Sequence, residues 1–102
     1  MKPDTIQVIE TYKAFWDAYN TQDWDAYLSL MCPRMRESTT AAGIDQVKRQ
    51  RAQNGLTMVT VNTVSIEGDT ATVVYSGTNE AGPEPRGIAY MARGSDGWKV
   101  CM

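Results

Sequence analysis

The fold is decided by residues 56–78, which read LTMVTVNTVSIEGDTATVVYSGT. Apolar and polar side chains alternate along this stretch and many of them are β-branched, as in strands that bury one face. We predict a long strand over residues 56–67, a turn at Gly68-Asp69 and a return strand over residues 70–78. This hairpin predicts an antiparallel sheet in the C-terminal half of the chain.

The sequence after the hairpin predicts two more strands. Residues 79–85 contain Gly82, Pro83 and Pro85, and this composition predicts a loop. A third strand is expected over residues 87–93, a second hairpin turn over residues 94–97 and a last strand over residues 98–102.

Before the hairpin, the apolar period is helical. Asp4 and Gln7 have the spacing of a capping box, with Asp4 as the N-cap. A first helix then carries a stripe of apolar side chains at Val8, Ile9, Tyr12, Phe15, Trp16 and Tyr19. Residues 20–23 interrupt this pattern. A second helix follows with Trp24, Tyr27, Leu28 and Met31 on one face, and Cys32-Pro33 ends it.

The segment between the second helix and the hairpin is polar. We predict irregular structure over residues 33–42 and a third helix over residues 44–53, which Asn54-Gly55 ends. The chain is therefore predicted to be one α+β domain over residues 1–102. Its three N-terminal helices pack on a curved, four-stranded antiparallel sheet.

Charge and composition exclude several functions. Ten basic and twelve acidic residues give a net charge of −2, and the basic residues are dispersed, which argues against nucleic-acid binding. The basic trio Lys48, Arg49 and Arg51 is best explained as a solvated helix face. No apolar run approaches the roughly 18 residues that span a bilayer. The first residues also lack an apolar signal region.

The two cysteines, Cys32 and Cys101, are too few to hold zinc in a chain without histidine. We therefore expect no metal and no cofactor. The residues alone leave two alternatives, a pair of buried free thiols or a disulfide. A disulfide closing so long a loop would stabilise the fold by about 4 kcal/mol in the chain-entropy model.

A family resemblance lies in two segments. Residues 15–27, FWDAYNTQDWDAY, resemble the first helix, short Asn-x-x-Asp break and second helix of nuclear-transport-factor-2-like domains, the ketosteroid-isomerase-like superfamily. Residues 96–101, DGWKVC, resemble the final hairpin of that superfamily. The resemblance covers essentially the whole chain and implies a cone-shaped fold.

The cysteine pair is similar to that of small actinobacterial lipoproteins or membrane-anchored domains with this fold. This resemblance implies a Cys32–Cys101 disulfide and an extracytoplasmic domain tethered in a longer parent protein. Free cysteines would instead indicate a cytoplasmic protein.

The resemblance also indicates where catalytic residues would lie. Aligning the Asn-x-x-Asp segments puts Phe15 at the position of the oxyanion-donating tyrosine of steroid-isomerising relatives, and Thr39 near their aspartate base. Neither side chain can perform those roles, and the histidine of dehydratase relatives is absent. The remaining candidate acids, Asp17, Glu37 and Asp45, are best explained as surface carboxylates. We expect no catalytic residues and no enzyme, with an isomerase or hydratase as the less favoured alternative.

Two surfaces are candidates for binding. Aromatic and methionine side chains form either the core or the lining of a pocket for a small apolar or amphipathic ligand, and the residues concerned are Tyr12, Phe15, Trp16, Tyr19, Tyr27, Met31 and Met35. If Cys101 faces the second helix, alternation puts Trp98, Val100 and Met102 on the outer face of the sheet. They would then form a homodimer or partner interface.

These features lead to two main hypotheses. The first is a non-catalytic extracytoplasmic binding or accessory domain with a small apolar pocket. The second is a structural or protein-interaction module with a filled core, which acts through the sheet face or through residues 79–85.

Overall fold

The computed structural model describes residues 3–102, without the side chains of residues 84 and 85; Met1 and Lys2 of the predicted domain lie outside the described residues. Four helices precede the strands: α1 Pro3–Thr21, α2 Trp24–Ser29, α3 Pro33–Ser38 and α4 Ala41–Asn54. The strands are β1 Met58–Glu67, β2 Thr70–Asn79, β3 Gly82–Gly94 and β4 Gly97–Val100. They form an antiparallel sheet in the order β1-β2-β3-β4. The predicted α+β order of helices and then sheet is confirmed.

The structure has one helix more than predicted. The irregular structure predicted over residues 33–42 is wrong, because α3 begins at Pro33, a residue that the first helical turn accepts without losing a hydrogen bond. The next helix, α4, begins at Ala41, earlier than predicted. Its N-cap is Thr40, whose hydroxyl accepts a hydrogen bond from the Gly43 N–H at 3.0 Å. Gly55, with φ of 70°, ends α4 as predicted.

The predicted N-cap of α1 is also wrong. The helix includes Pro3, so Asp4 lies inside its first turn. The Asp4 carboxylate instead accepts hydrogen bonds from Arg93 at 3.1 Å and from the Trp98 indole at 3.3 Å. It therefore ties the start of α1 to the end of the sheet, in addition to its favourable position in the helix dipole.

The loop predicted over residues 79–85 is wrong. Asn79 pairs with Gly82 and Thr78 with Pro83, so β2 and β3 continue to a tight turn. Gly82 adopts φ of 134°, a conformation that suits glycine. The register then shifts by one residue between Tyr75 and Gly77, where the ladder passes the proline-containing segment.

The edge at β4 carries an additional short strand. Met31 forms an isolated parallel bridge with Val100, through hydrogen bonds from Cys32 N to Val100 O and from Val100 N to Leu30 O, both 2.8 Å long. Counting this bridge as a strand gives five strands instead of the predicted four.

The core lies between α1, α2 and the inner face of the sheet. It includes Trp98 and Val100, which are 4% and 0% exposed. The prediction that these two residues face outward is wrong. Cys101 follows the end of β4 and reaches Cys32 beside the sheet edge, so it does not occupy the inner face. Alternation then turns Trp98 and Val100 inward.

Candidate functional site

The disulfide predicted from the cysteine pair is present. Cys32 and Cys101 are bonded, with their Cα atoms 5.3 Å apart and 69 positions apart in sequence. Cys32 is the N-cap of α3, and Cys101 directly follows β4. Arg34 lies beside the bond, with its Nη2 3.3 Å from the Cys101 Sγ. The cross-link therefore joins the helical half of the chain to the last strand.

The interior of the cone is filled by aromatic side chains. The Phe15 and Tyr27 rings stack at a centroid distance of 4.3 Å, and the Tyr19 ring lies 6.2 Å from that of Tyr27. Phe15 is 1% exposed, and Tyr12, Tyr19, Tyr27 and Met31 are also buried. Five of the seven predicted pocket residues thus belong to the core. The structure favours the core over the pocket lining for this group.

Burial affects the chemistry of Tyr27. Loss of solvent raises the pKa of its hydroxyl to about 12, and the neighbouring Tyr19 adds to this effect. The phenol therefore stays neutral at physiological pH. Its ring packs in the core, and its hydroxyl remains protonated.

The two positions that the family resemblance aligns with catalytic groups hold side chains engaged in packing or in local hydrogen bonds. Phe15 is stacked on Tyr27. The Thr39 hydroxyl donates to the Met35 carbonyl oxygen at 2.9 Å and lies 3.7 Å from the Met31 sulfur. Three candidate acids, Asp17, Glu37 and Asp45, are exposed. Among the side chains that the structure describes, no group of three or more potential metal ligands is found.

Trp16 and Met35, the other two predicted pocket residues, are half-buried at the margin of the core. Trp16 is one wall of a cleft of about 150 Å³, here called the α1–β1 cleft. Its lining comes from one stripe of α1 and from the start of β1, and consists of Lys13, Trp16, Asp17, Asn20, Thr57, Met58 and Val59.

A reciprocal hydrogen-bond pair fixes the floor of the α1–β1 cleft. The Asn20 amide donates to the Thr57 carbonyl oxygen, and the Asn20 Oδ1 accepts from the Thr57 N–H, both at 2.8 Å. Arg51 on α4 donates through Nε and Nη2 to the Asn20 carbonyl oxygen at 3.1 and 2.9 Å. Three elements are therefore held together at this point.

The Trp16 indole N–H has no hydrogen-bond acceptor in the described part of the chain, although the atom is buried. A buried donor without an acceptor costs about 1–3 kcal/mol. The indole nitrogen is closed off from solvent, so this donor is not exposed in the α1–β1 cleft.

An apolar surface lies on the outer face of the sheet. Val74 pairs with Ile88, and Tyr90 is the next outward residue of β3. Ile88 is 56% exposed and Tyr90 is 54% exposed. We call Val74, Ile88 and Tyr90 the outer-face patch. The period-2 spacing of Ile88 and Tyr90 is the sequence signal for this patch.

No protein-family profile matches the chain, and no curated protein matches it. Solved structures do. A proposed dehydratase of the NTF2-like family from Streptomyces avermitilis superposes with a TM-score of 0.67 over 95% of this chain and 90% of the other, at 22% identity. The chain has the NTF2-like fold.

Two further solved structures are similar over most of their length. A proposed calcium/calmodulin-dependent protein kinase type II association domain from Thiobacillus denitrificans has a TM-score of 0.66 at 14% identity, covering 88% of this chain and 86% of the other. A proposed NTF2-like transpeptidase from Campylobacter jejuni has a TM-score of 0.61 at 14% identity, covering 91% and 95%. At these identities the comparisons establish the fold and no activity. No helix within residues 3–102 is long and apolar enough to cross a membrane.

Proposed function

We propose that this NTF2-like domain is a non-catalytic binding or accessory module that works outside the cytoplasm and meets its partner with its surface. The observation that carries this proposal is the filled cone. The space in which an NTF2-like enzyme would bind a substrate is occupied here by the stacked Phe15 and Tyr27 rings and their buried neighbours. A partner must therefore contact the outside of the domain.

The disulfide supports the compartment. Disulfides form and persist in oxidising compartments and are rare in the cytosol. The Cys32–Cys101 bond joins two distant parts of the chain and is hence a structural element of the fold. The cysteine pair is similar to that of small actinobacterial envelope domains. The proposal therefore includes tethering of this domain in a longer parent protein.

Native mass spectrometry tests this proposal. The domain is purified from an oxidising compartment and measured without reductant. The expected mass is that of the chain with both thiols oxidised and no small molecule bound. A stoichiometric apolar molecule that leaves on unfolding would contradict the filled cone, and two freely alkylatable thiols in the native protein would contradict the compartment.

The outer-face patch favours a second candidate, a homodimer formed through the sheet. Burying Ile88 and Tyr90 against a second copy would remove apolar surface from water at about 25 cal/mol per Å². Light scattering across a concentration series should then show a dimer that Ile88→Lys abolishes. Leu56→Lys, an exposed apolar position outside the patch, is the matched control. A wild-type monomer at every concentration would exclude this candidate.

A further inference from the structure

We propose that the α1–β1 cleft, together with the free edge of β1 beside it, binds an extended peptide segment of a partner protein as an added strand. This inference deepens the proposed function, on which it rests, because it names the kind of partner and the place where it binds. Four observations carry it: the unpaired edge, its lack of charge, the limit set by a bulge, and the chemistry of the cleft.

The first observation is the position of β1 in the sheet. It is the first strand in the order, so among the described residues 3–102 only β2 lies beside it. Alternate N–H and C=O groups of β1 therefore point away from the sheet and lack a strand partner within this part of the chain. Only another extended main chain offers donors and acceptors at the matching spacing.

The second observation is that the edge carries none of the charged residues or prolines that commonly block strand addition. From residue 52 to residue 66 the sequence contains no Asp, Glu, Lys, Arg or Pro. β1 itself begins Met58-Val59-Thr60-Val61. A partner strand would meet neither electrostatic repulsion nor a missing donor along this part of the edge.

A bulge sets the length of the site. The pairing of β1 with β2 shifts register between Val61 and Thr63, which bends the edge at Asn62. The straight part of the edge beside the cleft is therefore Met58 to Val61. The added strand is correspondingly short, which suits a peptide segment better than a whole domain edge.

The cleft supplies recognition of a side chain. Its volume of about 150 Å³ is below the roughly 300–1,000 Å³ of pockets for drug-sized ligands. It suits one side chain of a strand lying along β1. Exposed Lys13 and Asp17 line the cleft, and the Lys13 ammonium is a hydrogen-bond donor without acceptor capacity. We infer that a residue with a side-chain oxygen acceptor binds there.

A second copy of this chain fits the site poorly. In β1 the inward side chains Val59 and Val61 already pack against the core of their own domain. Two β1 edges could pair, but neither would have an inward side chain free to enter the other's cleft. A peptide without a core of its own has that side chain available.

A peptide selection tests the proposal on the intact wild-type domain. A phage-displayed random heptapeptide library is selected on the disulfide-bonded protein, and the enriched peptides are synthesised. In ¹H–¹⁵N NMR spectra, binding should shift the amides of residues 57–61 and the Trp16 indole N–H. Shifts confined to Ile88 and Tyr90 would contradict this site but leave the surface-binding function standing. No enriched peptide, or a second copy of the chain occupying the β1 edge, would also overturn the peptide site.

Backbone N-methylation of the selected peptide tests strand addition without altering the protein. Residues of an added strand point their N–H groups alternately toward the β1 edge and toward solvent. N-methylation of the residues that face the edge should weaken binding about tenfold or more per lost hydrogen bond. N-methylation of the residues that face solvent should change the affinity little. Equal losses of affinity for the two alternating sets of methylated residues would rule out strand addition.

Lys13→Met, which keeps an apolar stem and removes the ammonium, should weaken binding by roughly three- to tenfold at unchanged thermal stability. Lys48→Met, at an exposed position on α4 outside the cleft, is its matched control and should bind as wild type. Equal affinity of the Lys13→Met and wild-type proteins would exclude the Lys13 ammonium as a recognition group. If no peptide bound any surface of the domain and a ligand were found inside the cone, the proposed function itself would be refuted.

Discussion

At the scale of single residues, Tyr27 shows how the filled cone changes side-chain chemistry. Its ring stacks on Phe15 and lies near Tyr19, and its hydroxyl has a pKa of about 12. The same burial that makes the ring a core residue thus keeps its hydroxyl protonated.

The Tyr27 hydroxyl predicts a loss of stability in alkali. The unfolded chain releases this proton near pH 10 and the folded chain near pH 12. Between these values the unfolded state holds fewer protons, so the free energy of unfolding falls as pH rises, by roughly 3 kcal/mol in all. Urea unfolding between pH 9 and 11 should show a weaker pH dependence for Tyr27→Phe than for wild type. Tyr90→Phe, at an exposed position, is the control; equal slopes for all three proteins would contradict the prediction.

Asn20 illustrates a polar residue whose role lies in connecting elements. Its amide makes both hydrogen bonds with the backbone of Thr57, which is 3% exposed. Asn20→Ala leaves a buried N–H and C=O without these partners and should lower the free energy of unfolding by about 2–4 kcal/mol. Asn62→Ala, which removes only an exposed 3.4 Å contact to Ser76, should change it by less than about 0.5 kcal/mol. Equal effects in chemical denaturation would refute this assignment.

At the scale of elements, the disulfide connects the α2–α3 boundary to the end of β4. The backbone already joins these parts through the Met31–Val100 bridge. The covalent bond therefore reinforces a contact that the folded chain makes in any case. Its main effect should be on the entropy of the unfolded chain.

Removing the disulfide should be costly but compatible with folding. The double variant Cys32→Ala, Cys101→Ala is expected to have a free energy of unfolding about 4 kcal/mol lower than wild type. Folded domains typically have a free energy of unfolding of about 5–15 kcal/mol. Reduced wild-type protein is the matched control and should lose a similar amount. A double variant as stable as the oxidised protein in urea would show that the cross-link contributes little.

The regular elements were predictable from periodicity, and the misses have physical causes. α1, α4 and the first hairpin follow apolar or alternating patterns that a single sequence displays. The short helix α3 was missed because its six residues bury no side chain. β3 was predicted too short because Pro83 and Pro85 favour loops, although proline is tolerated near the end of a strand.

The candidate sites depended on information that the sequence does not display. The prediction that Trp98 and Val100 lie on the outer face assumed that Cys101 points toward the second helix from the inner face. Cys101 instead reaches Cys32 beside the sheet edge, and the two β4 side chains point inward. The α1–β1 cleft depends on Asn20 pairing with Thr57, 37 positions away. No local pattern reports such a contact. The disulfide itself was predictable only through the family resemblance.

At the scale of the whole molecule, the interior of this NTF2-like fold is filled by its own side chains. Phe15 is central to this filling, since it contacts Trp16 and Tyr27 and is 1% exposed. The α1–β1 cleft and the outer-face patch lie outside this filled interior, and the proposed function relies on them.

The most direct test of the filled cone is a thermal-stability measurement with benzene and indole, on wild type and on Phe15→Ala. The truncation should lower stability by about 3–5 kcal/mol and leave an apolar cavity. Small apolar molecules should then raise the melting temperature of the variant by binding that cavity, and leave that of the wild type unchanged. A comparable rise in wild type, with NMR shifts at the Phe15 and Tyr27 rings, would contradict the account by showing an open pocket inside the cone.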